Sequence, residues 1–249
     1  MKKNTKVNAA ILIIGNEILS GRTQDTNTST LAIWLNSLGV QVNEVRVIPD
    51  TKKTIIENLN VLRKNNDYVF TTGGIGPTHD DITAQSVSKA FGIKYEVHKE
   101  AFKILKAYYQ PGEFNEGRQK MAWMPENAKL ILNPTSGAPG FNVENVFSLP
   151  GVPSILKSML GGLTNSIVGG EPIKSLTISL RTVESEIANS LTKVQNDNKD
   201  VEIGSYPFFH EGKLGVSIVI RSEDQNKIDN CNSQILKFVN EKKIEVVDR

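Results

Sequence analysis

Two adjacent carboxylates, Asp80 and Asp81, follow three closely spaced glycines in the run Thr71-Thr72-Gly73-Gly74-Ile75-Gly76-Pro77-Thr78-His79-Asp80-Asp81-Ile82-Thr83. Glycine at positions 73, 74 and 76 allows positive φ and lets backbone N–H groups approach a bound anion that bulkier side chains would hold off. Asp80 and Asp81 would repel such an anion unless a cation lies between them, so the pairing predicts a divalent metal held against phosphate oxygens, or a water oriented for attack. Thr78 and Asp81 also have the spacing of a capping box, with Thr78 as N-cap and Asp81 at the third helical position. That duty leaves Asp80 as the preferred metal ligand or water-orienting base, with Asp81 in support; a one-residue shift of the helix start would exchange the two. His79 either donates to a phosphate or acts as an acid, or packs as a neutral ring within the turn. His98 and His210 receive no role.

A further glycine, Gly15, ends an apolar segment and is followed closely by Glu17, a candidate third carboxylate of the same site. Thr26, Asn27 and Thr28 read as a helix N-terminus, whose free N–H groups either favour an anion or serve an ordinary cap.

The elements that must carry these residues alternate. Val7 to Ile14 is β-branched and almost wholly apolar, as in a parallel strand buried on both faces. Thr28 to Leu38 has helical periodicity and stops at Gly39, Val40 to Ile48 reads as a strand, Thr51 to Lys64 as a helix and Asp67 to Thr72 as a strand, with a helix expected over Asp81 to Phe91. Repeated βαβ units of this kind generate a mostly parallel sheet with helices on both faces, and ligands of such sheets bind at the carboxyl ends of strands. The turns after Ile14 and Thr72 both lie at strand ends and are expected to converge on one crevice.

Lys99 to Met121 is mainly helical with an interruption at Pro111-Gly112. Leu130 to Pro134 is a short strand, Asn133 to Gly140 a turn-rich loop, Val146 to Leu149 a buried strand, and Pro153 opens a helix to about Leu163. Glycines at 161, 162, 169 and 170 predict a boundary, giving an α/β domain over residues 1–169 and a small α+β domain over 170–249. In the latter, Ile173–Leu180, Val201–Tyr206 and Lys213–Ile220 read as strands, and Glu184–Val194 and Asp224–Val239 as helices.

Of 249 residues, 29 are basic and 27 acidic, for a formal net charge of +2 without a like-charge block; this favours a small-molecule partner over nucleic acid. One cysteine, Cys231, excludes an intramolecular disulfide framework. The apolar run Ala9 to Ile14 is far short of the roughly 20 residues of a membrane span. Met1-Lys2-Lys3 precedes it without a small-residue cleavage pattern, so a cytoplasmic protein that does not engage membranes is expected.

Four segments together, Gly15-Asn16-Glu17-Ile18-Leu19-Ser20-Gly21, the Thr71 to Thr83 run, Gly137-Ala138-Pro139-Gly140-Phe141 and Leu149-Pro150-Gly151-Val152-Pro153-Ser154, resemble the molybdopterin-binding-domain-like family. The likeness is to its CinA type and to the N-terminal domain of some eukaryotic FAD synthases. It spans most of residues 7 to 165, and the tail, including Ile203-Gly204-Ser205-Tyr206-Pro207, resembles the small domain that follows in CinA-type proteins. It does not reach their separate deamidase domain, so deamidation is not expected.

The resemblance implies a three-layer α/β/α fold and one of several functions. The CinA branch implies metal-dependent hydrolysis of a nucleotide pyrophosphate such as ADP-ribose or FAD, releasing AMP, with Mg, Mn or Co and K⁺ as cofactors. The molybdenum-cofactor branch implies binding of molybdopterin or its adenylylated form, and a regulatory module that binds without turnover is the third class. It implies Asp80, Asp81 and Glu17 as catalytic and metal-ligating groups. Ligand-binding residues are Asn16, Asn27, Thr72, Gly73, Gly74, Gly76, Pro77 and Thr78, with Ser136, Gly137, Ala138 and Pro139 framing a ring or ribose and Pro150 and Gly151 shaping the rim. A homo-oligomer is expected. The family motif is usually Gly-Asp-Glu, so Asn16 removes one negative charge, and Ile155 stands where a glutamate is usual.

Overall fold

The computed structural model describes residues 6–210 and 212–247; Met1-Lys2-Lys3, weighed above as a signal segment, lies outside them. The chain divides into two compact units, Met1–Gly170 and Glu171–Arg249.

The first unit is three-layered. Strand β1 (Val7–Ile14) is followed by α1 (Asn16–Leu19), α2 (Asn27–Ser37), β2 (Val40–Ile48), α3 (Lys52–Asn65), β3 (Tyr68–Thr72) and α4 (Thr83–Phe91). Then come β4 (Tyr95–Val97), α5 (Lys99–Tyr108), α6 (Glu116–Lys120), β5 (Trp123–Pro125), β6 (Lys129–Ile131), β7 (Gly140–Val143), β8 (Val146–Leu149) and α7 (Pro153–Leu163). The central sheet has the order β2-β1-β3-β8-β7-β6, parallel from β2 to β8 and antiparallel through β7 and β6.

Because side chains alternate along a strand, β1 serves two cores. Ala10, Leu12 and Ile14 face Ile55, Leu59 and Leu62 of α3, Val87 of α4 and Leu105 of α5. Ala9, Ile11 and Ile13 face Leu31 and Leu35 of α2 and Leu156, Met159 and Leu160 of α7. Burial of each such branched side chain contributes on the order of 1.5–3 kcal/mol, which is why β1 tolerates no polar residue between Ala9 and Ile14.

Several expected boundaries move. The helix expected from Asp81 begins at Thr83, with Ile82 at its N-cap and no side-chain cap bond. The region expected to be mainly helical from Lys99 to Met121 is two helices, α5 and α6, and the flanking segments β4 and β5 pair antiparallel in a small separate sheet. The short strand expected at Leu130–Pro134 is Lys129–Ile131. The end of the turn-rich loop, Gly140, already belongs to β7, which bridges β6 and β8. Strands β4, β5 and β7, three or four residues long, are too short for periodicity to mark them, and their partners define them.

The second unit contains β9 (Lys174–Leu180), α8 (Glu184–Asp197), β10 (Glu202–His210), β11 (Lys213–Ser222), α9 (Gln225–Glu241) and β12 (Val246–Val247). Its antiparallel sheet has the order β10-β11-β9-β12, and Leu180, Ile187, Val216, Ile218, Ile228 and Ile235 form its core. The β-α-β-β-α order matches the sequence reading; β12 adds an edge that the sequence did not signal. Strand β10 runs past Tyr206 through Pro207, which an edge strand accommodates because one side of its backbone needs no ladder donor.

Candidate functional site

The parallel order β1-β3-β8 sets three strand ends side by side: Ile13 is in register with Thr72, and Thr72 with Leu149. The turns at Gly15, Gly73 and Pro150 therefore meet, and the N–H of Gly73 donates to Leu149 O at 3.1 Å. Gly73 (φ 96°) and Gly74 (φ 68°) are left-handed. A Cβ on Gly73 would lie 2.2 Å from Ile14 O, and one on Gly74 2.2 Å from Thr83 Oγ1, so neither position admits a side chain. Thr83 is the buried clamp of this turn: its hydroxyl donates to Gly73 O and its N–H to Gly74 O, each at 2.9 Å. The glycine run is wedged between the end of β1 and the start of α4.

Thr78 and Asp81 do bond as their spacing suggested, but they close their own turn rather than cap the helix. The N–H and hydroxyl of Thr78 donate to Asp81 Oδ2 at 2.7 and 2.5 Å, and the Asp81 N–H returns to Thr78 O at 3.2 Å. Lys120 Nζ, from α6, also donates to Thr78 O. The Asp80 carboxyl is exposed and held below its ordinary value, chiefly by the Thr78 hydroxyl and its own backbone N–H, with His79 and Lys120 adding positive charge. His79 Nδ1 stands 4.0 Å from Asp80 Oδ1, and its side chain is 98% exposed, so the packing alternative for His79 does not hold.

A cleft of about 640 Å³ opens over this junction. Its walls include Glu17, Gly73, Gly74, Gly76, Pro77, Asp80 and Asp81, together with Ser136, Ala138 and Pro139 from the β6–β7 loop and Pro150 and Gly151 after β8. Segments far apart in sequence thus reach one cavity. Five other residues singled out in the sequence support it from outside. Asn16 donates its N–H to Asp50 Oδ2 at 2.8 Å; Thr72 is buried in β3; Thr78 holds Asp81; Asn27 Nδ2 donates to Gly151 O at 2.8 Å; and Gly137 gives room to the Tyr108 ring, which a Cβ would meet at 2.5 Å.

The cleft also holds residues that sequence reasoning passed over. Asp50, two residues past the end of β2, lines it beside Glu17. Arg118 lines it from α6, its guanidinium 4.1 Å above the Tyr109 ring and bonded to Glu113 O at 2.5 Å. Asn133 orders the β6–β7 loop by accepting the N–H groups of Thr135 and Ser136 at 3.0 Å and donating to Ala138 O at 2.9 Å. Asp50 had one available signal, its place just beyond a strand end; Arg118 had none, since α6 lies far from the glycine turns in sequence.

The carboxylates do not form a ready-made metal centre. Among the described residues no group of three or more His, Cys, Asp or Glu side chains is placed to hold a metal ion. The local bonds explain this: Asp81 Oδ2 is taken by Thr78, Asp50 Oδ2 by Asn16, and the Glu17 carboxylate folds back over Gly15, where a Cβ would meet both its oxygens at 2.6 Å.

A three-layer α/β unit whose glycine turns meet at the carboxyl ends of its parallel strands is a small-ligand-binding fold. Residues 10–168 match the family described as probable molybdopterin binding domain, and the chain belongs to that family, in its CinA-type branch. Residues 172–248 match the FAD synthase middle domain. The chain is 33% identical to a protein of Archaeoglobus fulgidus over 94% of its own length and 98% of the relative's. It is 31% identical to a CinA-like protein of Syntrophus aciditrophicus, covering 91% of this chain and 58% of that one. The crystal structure of the protein CinA from Thermoplasma acidophilum is 33% identical, covers 66% of this chain and 99% of that chain, and superposes with a TM-score of 0.62. No helix among the described residues is long and apolar enough to cross a membrane.

Proposed function

We propose that the cleft hydrolyses a nucleotide pyrophosphate, ADP-ribose or FAD, with release of AMP. The observation that carries this reading is the meeting of the Gly73–Gly76 turn with ionised Asp80 and with Arg118 on the walls of one cavity. Backbone N–H groups of the turn and the Arg118 guanidinium suit a diphosphate, the former by close approach and the latter by charge. The oxygen of a water bonds to one phosphorus, the bridging P–O bond breaks, and AMP leaves together with ribose 5-phosphate or FMN.

Asp80 orients that water and keeps its charge at neutral pH. Its lowered pKa makes it a poor proton acceptor at pH 7 and a good fixed acceptor of hydrogen bonds. Mg²⁺ is commonly held by one or two carboxylates plus substrate phosphates rather than by an all-protein cage, so Asp80 and Glu17 are the residues that would receive it. When bound, the cation neutralises phosphate charge.

The test incubates the purified protein with ADP-ribose or FAD, with Mg²⁺, Mn²⁺ or Co²⁺ and K⁺, and follows AMP by chromatography. Asp80→Asn is expected to lower AMP formation by about 100-fold or more, the order lost with one charge-positioning group. The family match favours a second reading, binding of a pterin phosphate without turnover. Absence of AMP with every substrate and cation, together with tight binding of a pterin phosphate, overturns the hydrolase reading.

A further inference from the structure

Strand β2 is the outermost strand of the six-stranded sheet, and β1 is its one strand partner among the described residues. Its first half is irregular: Ala9 pairs with Val42 and Ala10 with Glu44, so Asn43 bulges out of register. From Glu44 to Ile48 the pairing with Ala10 to Ile14 is unbroken. Gly170 meets the strand at its opposite end, where its N–H donates to Gly39 O at 3.0 Å, away from this regular stretch.

The backbone groups of Glu44 to Ile48 divide between the two sides of the strand. Ile48 O accepts the Gly15 N–H at 3.2 Å, so Ile48 turns its polar groups toward β1, and alternation along the strand turns those of Val45 and Val47 outward. The side chains alternate as well. Glu44 and Arg46 lie on the face that α3 covers, where Arg46 Nε donates to Glu44 Oε1 at 2.6 Å and Nη1 to Asn58 Oδ1 at 2.7 Å. Glu44 Oε2 and Arg46 Nη2 make no hydrogen bond among the described residues. Val45 and Val47, on the other face, are 42% and 38% exposed. An open edge with exposed valines is a template for another strand unless lysine or proline blocks it, and neither stands between Val40 and Ile48.

We propose that this edge is the interface of a homodimer, in which the β2 strands of two copies pair antiparallel about a two-fold axis at Val45. Charge and backbone direction together choose the register. Only residues whose polar groups point outward exchange ladder bonds, so Val45 faces Val45 of the second copy and Val47 faces its Asn43. Glu44 of each copy then lies opposite Arg46 of the other in a pair without ladder bonds, where side chains come closest, and the unused Oε2 and Nη2 are free to bond across the axis. An axis one residue earlier would oppose two Glu44 carboxylates, and one residue later two Arg46 guanidinium groups. An axis at Val47 would set Val45 against Pro49, which has no N–H to give. The partner is a second copy because the charge order along this strand complements its own reverse.

Sedimentation velocity over a concentration series measures the dimer dissociation constant for the full chain, for Glu44→Arg, for Arg46→Glu and for an equal mixture of the two variants. Each variant alone opposes like charges across the axis and is expected to weaken the dimer at least about tenfold. The mixture sets the arginines of one chain against the glutamates of the other and is expected to return to the affinity of the unmodified chain. Both chains in the mixture still lack the internal Glu44–Arg46 bond, so recovery reports contact between copies rather than repair within one. Val45→Lys, at an exposed position, places two ammonium groups at the axis and is expected to weaken the dimer by the same order; it carries the test if either charge variant fails to fold. A chain that stays monomeric into the hundreds of micromolar, a dimer indifferent to these variants, or a mixture no tighter than its components overturns the interface.

Discussion

Thr78 is the residue through which the two central carboxylates are differentiated. Its hydroxyl and N–H bind Asp81 into a closed turn, while the neighbouring Thr78 side chain and the Asp80 backbone hold the exposed Asp80 carboxyl below its ordinary value. A depressed carboxyl pKa means that the charge persists as pH falls through the usual carboxylate range and is lost only below it. Titration of the Asp80 carboxyl carbon by NMR is therefore expected to show a midpoint below that of an unperturbed aspartate, and Thr78→Val is expected to raise it. A midpoint that does not move would remove Thr78 as the cause. Any activity loss that begins near pH 6 belongs to a different group. The spacing of Thr78 and Asp81 already assigned Asp81 to Thr78 and left Asp80 free; what it did not show is that their bond closes a turn ahead of the helix, which starts at Thr83 instead of Asp81.

Element by element, the site is held by tethers between strand ends and helix starts. Helix α2 begins at Asn27, whose N–H is accepted by Asp25 Oδ1 at 2.9 Å, so Asp25 supplies the cap that the sequence reading gave to the Thr26–Thr28 segment. Asn27 itself is 5% exposed and ties α2 to the turn after β8 through Gly151 O, while its Oδ1 has no partner in the protein. Asn27→Leu removes one good bond and one unsatisfied acceptor together, so it is expected to cost only about 1 kcal/mol. Asn27→Asp places a buried carboxylate against a carbonyl oxygen and is expected to cost at least about 3 kcal/mol. Urea denaturation of the two variants checks the order; an Asp variant as stable as the Leu variant would contradict the tether. Helices α2 and α3 and strands β1 to β3 were legible because each is long enough to show its period. Strands β4, β5 and β7 were not, because such short strands are stabilised by partners rather than by their own pattern, and β6 was read only with shifted bounds.

At the scale of the molecule, each unit has its own apolar core, and each matches a separate family. Residues 171–249 expressed alone are therefore expected to fold cooperatively, with the modest stability of a domain of fewer than 100 residues. In that fragment Ile218→Ala, at a fully buried position of the central strand β11, is expected to cost about 2–5 kcal/mol and to unfold much of the population at room temperature. Circular dichroism with urea tests both statements, and a fragment without a cooperative transition would refute the first.

The division between what was readable early and late follows from the range of the forces involved. The amino-acid sequence by itself determined the alternation of strand and helix, the two-faced burial of Val7–Ile14, the glycine turn at 73–76 and the order of the second unit, since periodicity, apolar burial and backbone freedom are written in neighbouring residues. Only the tertiary structure decided that Asp50 and Arg118 line the same cleft as Glu17 and Asp80, and that Trp123 lines a second space with Asp81. Those proximities are set by the sheet order β1-β3-β8 and by the short β4–β5 pairing, which join segments distant in the chain.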